Sequence, residues 1–275
     1  MVKRILVSLG GTPFSYVAIE RALDLAKRHE AKIIALSVAN LKQLQNVGPV
    51  PIGAGSSAER IRKKRLHETC ENIEKALSHF RSRCLENNVP YEAKYFSGSP
   101  AKAIASFSRY CDLAVFGFRG LFDYGVLNNP DRTVNQIITS GVRPFITVSE
   151  KFRSIERVVI AYNGSLEAAA AMRLFVQMRL WDEVQLLILC FGSSSVKGEE
   201  TLRDAAEYCS AFGYEPETRF VSGSGKSRLL ETAMEWNADM VVLGDSARSL
   251  LVEKVFGSTS YSVLRSATIP LFMSH

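Results

Sequence analysis

Residues 4–13 read RILVSLGGTP, and residues 157–166 read RVVIAYNGSL. Each is a short apolar run that ends in a turn of glycine with threonine or serine, and an amphipathic segment follows each turn. A second apolar run comes after both segments, at 32–40 and at 184–192. The chain therefore opens each of its halves with the same strand–turn–helix–strand unit.

The repeat continues through the rest of both halves. Residues 91–120 and 215–247 each contain a strand, an SGS turn, a helix, an aspartate and an apolar run that ends in glycine. A proline-led strand then closes each half, RPFITV at 143–148 and IPLFMS at 269–274. Apolar strands that are joined by helices predict a parallel sheet with both faces covered.

We therefore predict an α/β fold of two tandem Rossmann-like domains, each with a five-stranded parallel sheet between helices. The predicted domains are residues 1–150 and 153–275, with a short linker. The first half is longer because of residues 41–59, which carry glycine, proline and serine and are predicted to form a loop. The helix after that loop has one apolar stripe that includes Cys70 and Cys84, so both thiols are expected in the core.

Bulk composition excludes several classes of protein. The 275 residues carry a formal net charge of +6, and no apolar run approaches the roughly 20 residues of a membrane span. The densest basic run, residues 59–68, has no aromatic residue, so no nucleic-acid partner is expected. Five cysteines without a CxxC pair indicate free thiols. Without a signal-peptide pattern, we expect a cytoplasmic protein without membrane contact.

Residues 222–227 read SGSGKS, which raises the question of a phosphate-binding P-loop. The Walker pattern requires a glycine with four residues between it and the Gly-Lys pair, and that position is Phe220. The first half provides a control, because Pro100 and Ala101 follow its SGS turn where the second half has Gly-Lys. We interpret the turn as a feature of the repeat whose serine caps the next helix.

The end of the fourth strand in the second half carries a more specific pattern. Gly244, Ala247, Gly257 and Ser258 stand at the spacings of G-x2-G-x9-G-[ST], with alanine in place of the second glycine. This motif resembles that of the nucleotide-binding members of the universal stress protein family. The order of strands and helices is similar to the tandem form of that family over nearly the entire chain.

The resemblance implies a nucleotide site in the second half, for ATP, ADP or AMP. The family has an aspartate at the end of the first strand, and asparagine replaces it here without the charge. No resident metal is predicted, although Mg²⁺ can accompany ATP. The predicted site consists of Asn163, Gly164, Ser165, Cys190, Gly244, Ala247, Gly257, Ser258, Thr259 and Ser260. The first two would face the nucleoside, and Gly244, Ala247 and 257–260 would cradle the phosphates.

The same motif is degraded in the first half. Gly117 and Gly120 remain, but Pro130 stands where the second half has Gly257, and Asp131 follows it. Proline removes an N–H donor, and the carboxylate would repel a phosphate. Gly10 stands where the family has the aspartate at the end of the first strand. We expect no nucleotide at this place in the first half.

The sequence thus predicts a stress-response sensor or binding module, and it leaves two alternatives open. One is a carrier of a non-nucleotide ligand or a protein-interaction scaffold, and the other is a slow ATP hydrolase. No catalytic residue is predicted, because no nucleophile or general base stands in a recognisable motif. The resemblance implies that the domains pair as an internal pseudo-dimer through their last strands. A homodimer and an unknown protein partner remain open.

Overall fold

The computed structural model describes residues 1–39, 55–117, 136, 144–244, 263–264 and 266–274. The chain forms two compact units. The first unit is Lys3–Val142, and the second is Arg143–His275 together with Met1–Val2. The division of the repeat at residue 150 remains a prediction. The strand at 145–147 belongs to the second unit because it pairs there with the last strand of the chain.

The first unit is a parallel sheet with helices between its strands. Its strands occur in the order β3-β2-β1-β4, and every described pair is parallel. The elements are β1 (Arg4–Leu9), α1 (Pro13–His29), β2 (Lys32–Ala39), α2 (Gly55–Glu86), β3 (Tyr91–Ser97), α3 (Pro100–Ser108) and β4 (Leu113–Phe116).

The second unit repeats this arrangement and adds a strand at one edge. Its order is β5-β10-β9-β6-β7-β8, in which β5 runs antiparallel to β10 and the other pairs are parallel. The elements are β5 (Phe145–Thr147), β6 (Arg157–Ala161), α4 (Leu166–Met178), β7 (Gln185–Gly192), α5 (Ser195–Ala211), β8 (Glu217–Ser222), α6 (Gly225–Glu235), β9 (Met240–Gly244) and β10 (Leu271–Ser274).

The central strands are apolar because helices cover both of their faces. All four residues of β4 are buried, as are the three central residues of β6 and the first four of β9. The predicted fold class, two tandem Rossmann-like α/β domains, is confirmed. In the second unit the strand order reverses between β6 and β9, so the carboxyl ends of these strands leave a crevice between them.

The structure corrects two expectations about the long helix α2. The helix begins at Gly55, inside the stretch 41–59 that the sequence assigns to a loop; residues 40–54 lie outside the described residues. Cys84 is buried as predicted, but Cys70 is exposed. The 32 residues of α2 span about 48 Å, whereas a strand of eight residues spans about 26 Å. The sheet can therefore bury only part of the helix, and Ile73 is the first buried residue among those of α2 whose burial the structure describes.

The N-terminal half of α2 is rich in charge rather than apolar. Ion pairs one helical turn apart join Lys63 to Glu59 and Lys64 to Glu68. Among the helices of the described residues, none is both long and apolar enough to cross a membrane. The exposed ion pairs of α2 add little to the stability of the helix, because water and salt screen them.

An aspartate performs the same structural role in both units. The carboxylate of Asp112 accepts hydrogen bonds from the main-chain N–H groups of Lys3 (2.7 Å) and Arg4 (2.8 Å). Asp239 accepts from those of Glu156 (3.1 Å) and Arg157 (3.0 Å). Each aspartate precedes the fourth strand of its half, so it fixes the start of the first strand against that neighbour.

Candidate functional site

A cleft of about 190 Å³ opens at the carboxyl ends of the strands in the second unit. It lies where the strand order reverses, which is where ligands bind in open α/β sheets. The ends of β6, β7 and β9 and the first turns of α4 and α6 contribute to it. The residues that line it are Ala161, Tyr162, Asn163, Ser165, Ala168, Phe191, Gly225, Leu229, Leu243 and Gly244.

The turn between β6 and α4 forms one wall of the cleft. The side-chain Oδ1 of Asn163 accepts a hydrogen bond from the main-chain N–H of Ser165 at 3.0 Å. Ser165 is the N-cap of α4, and its Oγ accepts from the N–H of Ala168 at 3.2 Å. Gly164 has φ +77°, a conformation that residues with a side chain rarely adopt. Local side-chain chemistry therefore sets the shape of this wall.

An aromatic ring, a glycine and two leucines also line the cleft. Gly225 at the start of α6 packs on the Phe191 ring, because a Cβ on Gly225 would lie 3.1 Å from the ring carbon Cδ2. Leu229 and Leu243 are buried behind the cleft. No Asp, Glu, Lys or Arg lines the cleft within the described residues. The arrangement suits a flat, uncharged ring system against Phe191.

The pKa of Tyr162 is raised above its ordinary value of 10.0, first by burial and then by the negative charge of Asp204 and by Cys209. Both of these neighbours belong to α5. The phenol stays protonated at neutral pH and can donate a hydrogen bond.

The structure brings together part of the predicted site. Asn163, Ser165 and Gly244 line the cleft, and Gly164 belongs to the same turn. Cys190 is buried in β7 and does not line the cleft; its neighbour Phe191 does. Burial raises the pKa of the Cys190 thiol. The other predicted residues, Ala247 and 257–260, lie outside the described residues, as do Gly120, Pro130 and Asp131 of the first half.

Sequence reasoning missed Tyr162, Phe191, Gly225 and Leu229 as cleft residues. The position of Phe191 could have been inferred from the repeat. It lies near the carboxyl end of the second strand of its half, and the carboxyl ends of parallel strands meet at one edge of the sheet. Gly225 belongs to the SGSGKS stretch, which Phe220 excludes as a P-loop, and nothing else in the sequence places Gly225 in a cleft. In the structure the Phe220 ring packs so closely on Gly198 of α5 that a Cβ there would overlap it. Phe220 is therefore a packing residue of the second unit.

The corresponding turn of the first unit is held by a serine of the helix that follows it. The buried Oγ of Ser15 accepts hydrogen bonds from the main-chain N–H groups of Gly10 (3.1 Å) and Thr12 (3.3 Å). Helix α2 lies on this turn, because a Cβ on Gly11 would stand 3.0 Å from that of Asn72, and α5 lies in the same way on the turn of the second unit, where a Cβ on Gly164 would stand 3.3 Å from Cγ2 of Thr201. Ala168 occupies the position in the second unit that is equivalent to Ser15, and alanine has no hydroxyl that could accept these bonds.

A larger cavity, of about 770 Å³, lies at the opposite, amino-terminal edge of the second unit's sheet. Four of its lining residues are acidic and two are basic: Glu156, Asp182, Glu183 and Glu215, with Arg157 and Arg179. Arg157 is stacked over Trp236 at 4.2 Å. An excess of carboxylates repels phosphate, so the smaller cleft is the better candidate for an anionic ligand. Within the described residues, no cluster of three or more His, Cys, Asp or Glu could hold a metal ion.

Comparison with known proteins identifies the family. The model of the universal stress protein family matches residues 1–130 and 192–275, which is most of the chain. The chain belongs to the universal stress protein family. The universal stress protein Slr1230 of Synechocystis sp. is 21% identical over 98% of this chain and 99% of its own length. This universal stress protein is therefore of the two-domain size.

Solved structures of similar size share the fold. A universal stress protein from Archaeoglobus fulgidus DSM 4304 has a TM-score of 0.62 and 20% identity over 98% of this chain and 95% of its own. The functionally unknown protein PA1789 from Pseudomonas aeruginosa PAO1 has a TM-score of 0.63 and 14% identity over 99% and 92%. At these identities the likeness establishes the fold of this universal stress protein and leaves its ligand open.

Proposed function

We propose that this universal stress protein is a nucleotide-binding sensor or binding module of the stress response, acting in the cytoplasm. The ligand site is the cleft of the second unit, and ATP, ADP and AMP are the candidates that the sequence motif implies. The supporting observation is the cleft that the turn at Asn163 lines, at the place where the strand order of the second unit reverses.

The described cleft suits the nucleoside part of such a ligand. Its 190 Å³ is below the roughly 300–1,000 Å³ of pockets that enclose a whole drug-sized ligand. Its neutral lining and the Phe191 ring provide a stacking surface for a base. The phosphates would then extend toward residues 245–262, where the sequence motif places Gly257 and Ser258. That part of the proposal rests on the sequence alone.

Calorimetric titration of the full chain with ATP and with AMP tests this proposal. We expect saturable binding that Phe191→Ala weakens about tenfold, because base–aromatic stacking contributes roughly 1–3 kcal/mol. The matched control is Val38→Ala, which changes the corresponding residue of β2 in the first unit and should leave the affinity unchanged. Gly257→Val should abolish binding if the motif holds the phosphates.

The outcome of this titration also distinguishes the alternatives. Absence of binding at millimolar nucleotide would contradict the proposal and favour a small uncharged ligand or a scaffold role, which the neutral lining of the cleft also allows. Release of phosphate above the buffer rate, lost in Ser258→Ala, would instead indicate a slow ATP hydrolase. The folded state of each variant is checked by circular dichroism, so that loss of structure is not taken for loss of binding.

A further inference from the structure

We propose that the open edge of β3 in the first unit pairs with β3 of a second copy of this chain, and that this antiparallel contact forms a homodimer. β3 is the last strand in the strand order, and within the described residues no strand pairs with its outer side. Two large side chains of this strand are solvent-exposed, Tyr95 by 58% and Phe96 by 40%. An edge strand with unpaired main-chain groups and exposed aromatic residues is a template for a further strand.

The hydrogen bonds to β2 show which residues of β3 face the open edge. The main-chain N–H of Ile33 donates to the carbonyl of Pro90 at 2.9 Å, so Pro90 faces β2. The N–H and C=O groups of one residue point to the same side of a strand, and successive residues alternate between the two sides. The residues that direct these groups to the open edge are therefore Tyr91, Ala93 and Tyr95. In an antiparallel pair they must lie opposite one another.

Charge selects one register among those that this alternation allows. A two-fold axis at Ala93 places Glu92 opposite Lys94 of the second copy, and this contact occurs twice. An axis at Glu92 or at Lys94 would set like charges directly opposite, which is destabilising. An axis at Tyr91 or Tyr95 would leave both charges opposite uncharged residues. The register centred on Ala93 is thus the one in which opposite charges meet.

The side chains in this register also suit one another. The Glu92–Lys94 contacts fall at non-hydrogen-bonded positions, where the Cα atoms are about 4.5 Å apart and side chains are closest. Glu92 already contacts Lys94 of its own chain, so two copies build a cluster in which the charges alternate in sign. Tyr91 packs edge-on against Phe80 at 5.5 Å, and Tyr95 of the second copy would lie opposite Tyr91. Because both copies use the same strand, the contact closes with two chains.

The equivalent strand of the second unit, β8, carries the same charge pattern but lacks a complete edge. Glu217 and Arg219 stand at the positions of the glutamate and lysine of β3. The N–H of Gly223 donates to the carbonyl of Gly192 in β7, so by alternation Pro216 faces the open side. Proline has no N–H to donate, which is typical of a protected edge. We therefore assign the dimer contact to β3, and β8 provides the matched control.

Sedimentation equilibrium of the full chain tests this interface. We expect the unmodified chain to form a dimer at micromolar concentration. Lys94→Glu and Glu92→Lys each set like charges opposite one another at both contacts, and each should raise the dissociation constant about tenfold. An equimolar mixture of these two variants should restore dimerisation, because each copy then supplies the charge that the other lacks. Arg219→Glu makes the equivalent change in β8 and should leave the dimer unchanged.

Circular dichroism of each variant separates loss of fold from loss of association. An unmodified chain that remains monomeric would overturn the inference. A dimer that both single substitutions leave intact would also overturn it, since the contact would then lie elsewhere on the chain. Failure of the mixture to restore dimerisation, or an equal loss in Arg219→Glu, would exclude the register centred on Ala93.

Discussion

Gly244 at the end of β9 lies directly against the main-chain carbonyl of Glu167 in the first turn of α4. A Cβ atom on Gly244 would overlap that carbonyl and stand 2.5 Å from the main-chain nitrogen of Ala168. The first unit has the same contact, because a Cβ on Gly117 would lie 2.6 Å from that of Phe14. The first glycine of the sequence motif is thus required by helix–strand packing in both units, whether or not a ligand binds.

Replacement of Gly244 by alanine should therefore destabilise the second unit. We expect Gly244→Ala to lower the free energy of unfolding by about 1–3 kcal/mol, the usual effect of overpacking. Gly10→Ala is the control, since a Cβ there meets no atom within 4 Å. It should be neutral or stabilise by about 0.4–1 kcal/mol. Urea unfolding measures both; equal stability of the two variants would contradict the packing role.

The paired aspartates predict matched effects in the two units. Asp112→Ala and Asp239→Ala each remove a carboxylate that accepts two main-chain N–H bonds. We expect each substitution to lower the free energy of unfolding by about 1–3 kcal/mol. Hydrogen exchange should show faster exchange at Lys3 and Arg4 in the first variant and at Glu156 and Arg157 in the second. Uniform acceleration across both units would argue against this local role.

Ser15 should stabilise the first unit through its hydroxyl. Ser15→Ala removes the buried acceptor of the Gly10 and Thr12 N–H groups, at an expected cost of about 1–3 kcal/mol. The exchange rates of these two amides should rise most. The second unit has alanine at this position, so Ala168→Gly serves as a comparison that removes no hydrogen-bonding group. Unchanged exchange at Gly10 in Ser15→Ala would refute the assignment.

The thiols should differ in reactivity according to their burial. Cys70 is exposed, whereas Cys84, Cys190 and Cys209 are buried, and burial raises the pKa of each of these three. Iodoacetamide at pH 8 should modify Cys70 first, because the thiolate is the nucleophile and must be accessible. Mass spectrometry of the digested protein locates the label. Rapid labelling of Cys84 without unfolding would contradict the structure.

Alkaline pH should destabilise the fold through the same buried thiols. Burial raises the pKa of Cys84 from 9.0 to about 12 and that of Cys209 to about 11. A raised pKa in the folded state gives stability that is complete below pH 9 and lost as the pH rises toward 11 and 12. Each unit of difference corresponds to about 1.4 kcal/mol. Cys84→Ala should show a shallower decline above pH 9 in urea unfolding; an identical slope would count against the buried thiol.

Much of the fold could be predicted because its signals are local. An apolar run, a glycine–serine turn and an amphipathic helix can each be recognised in a few residues, and their recurrence in the second half supported the assignment. Cys70 shows where this reasoning failed. Its spacing places it on the same stripe as the buried Phe80, but periodicity carries no information on how far the sheet extends beneath a helix. The predicted nucleotide site remains a proposal.

The sequence by itself determined the repeat, the two α/β units and the edge of the sheet where a cleft belongs, because hydrophobic pattern and turn chemistry act between neighbours in the chain. Only the tertiary structure decided which side chains meet there. Phe191 and Asn163 lie 28 residues apart and line one cleft because β6 pairs with β7. Ser15 and Ala168 likewise stand at equivalent positions of the repeat, and only the structure shows that the Ser15 hydroxyl accepts hydrogen bonds from the N–H groups of Gly10 and Thr12.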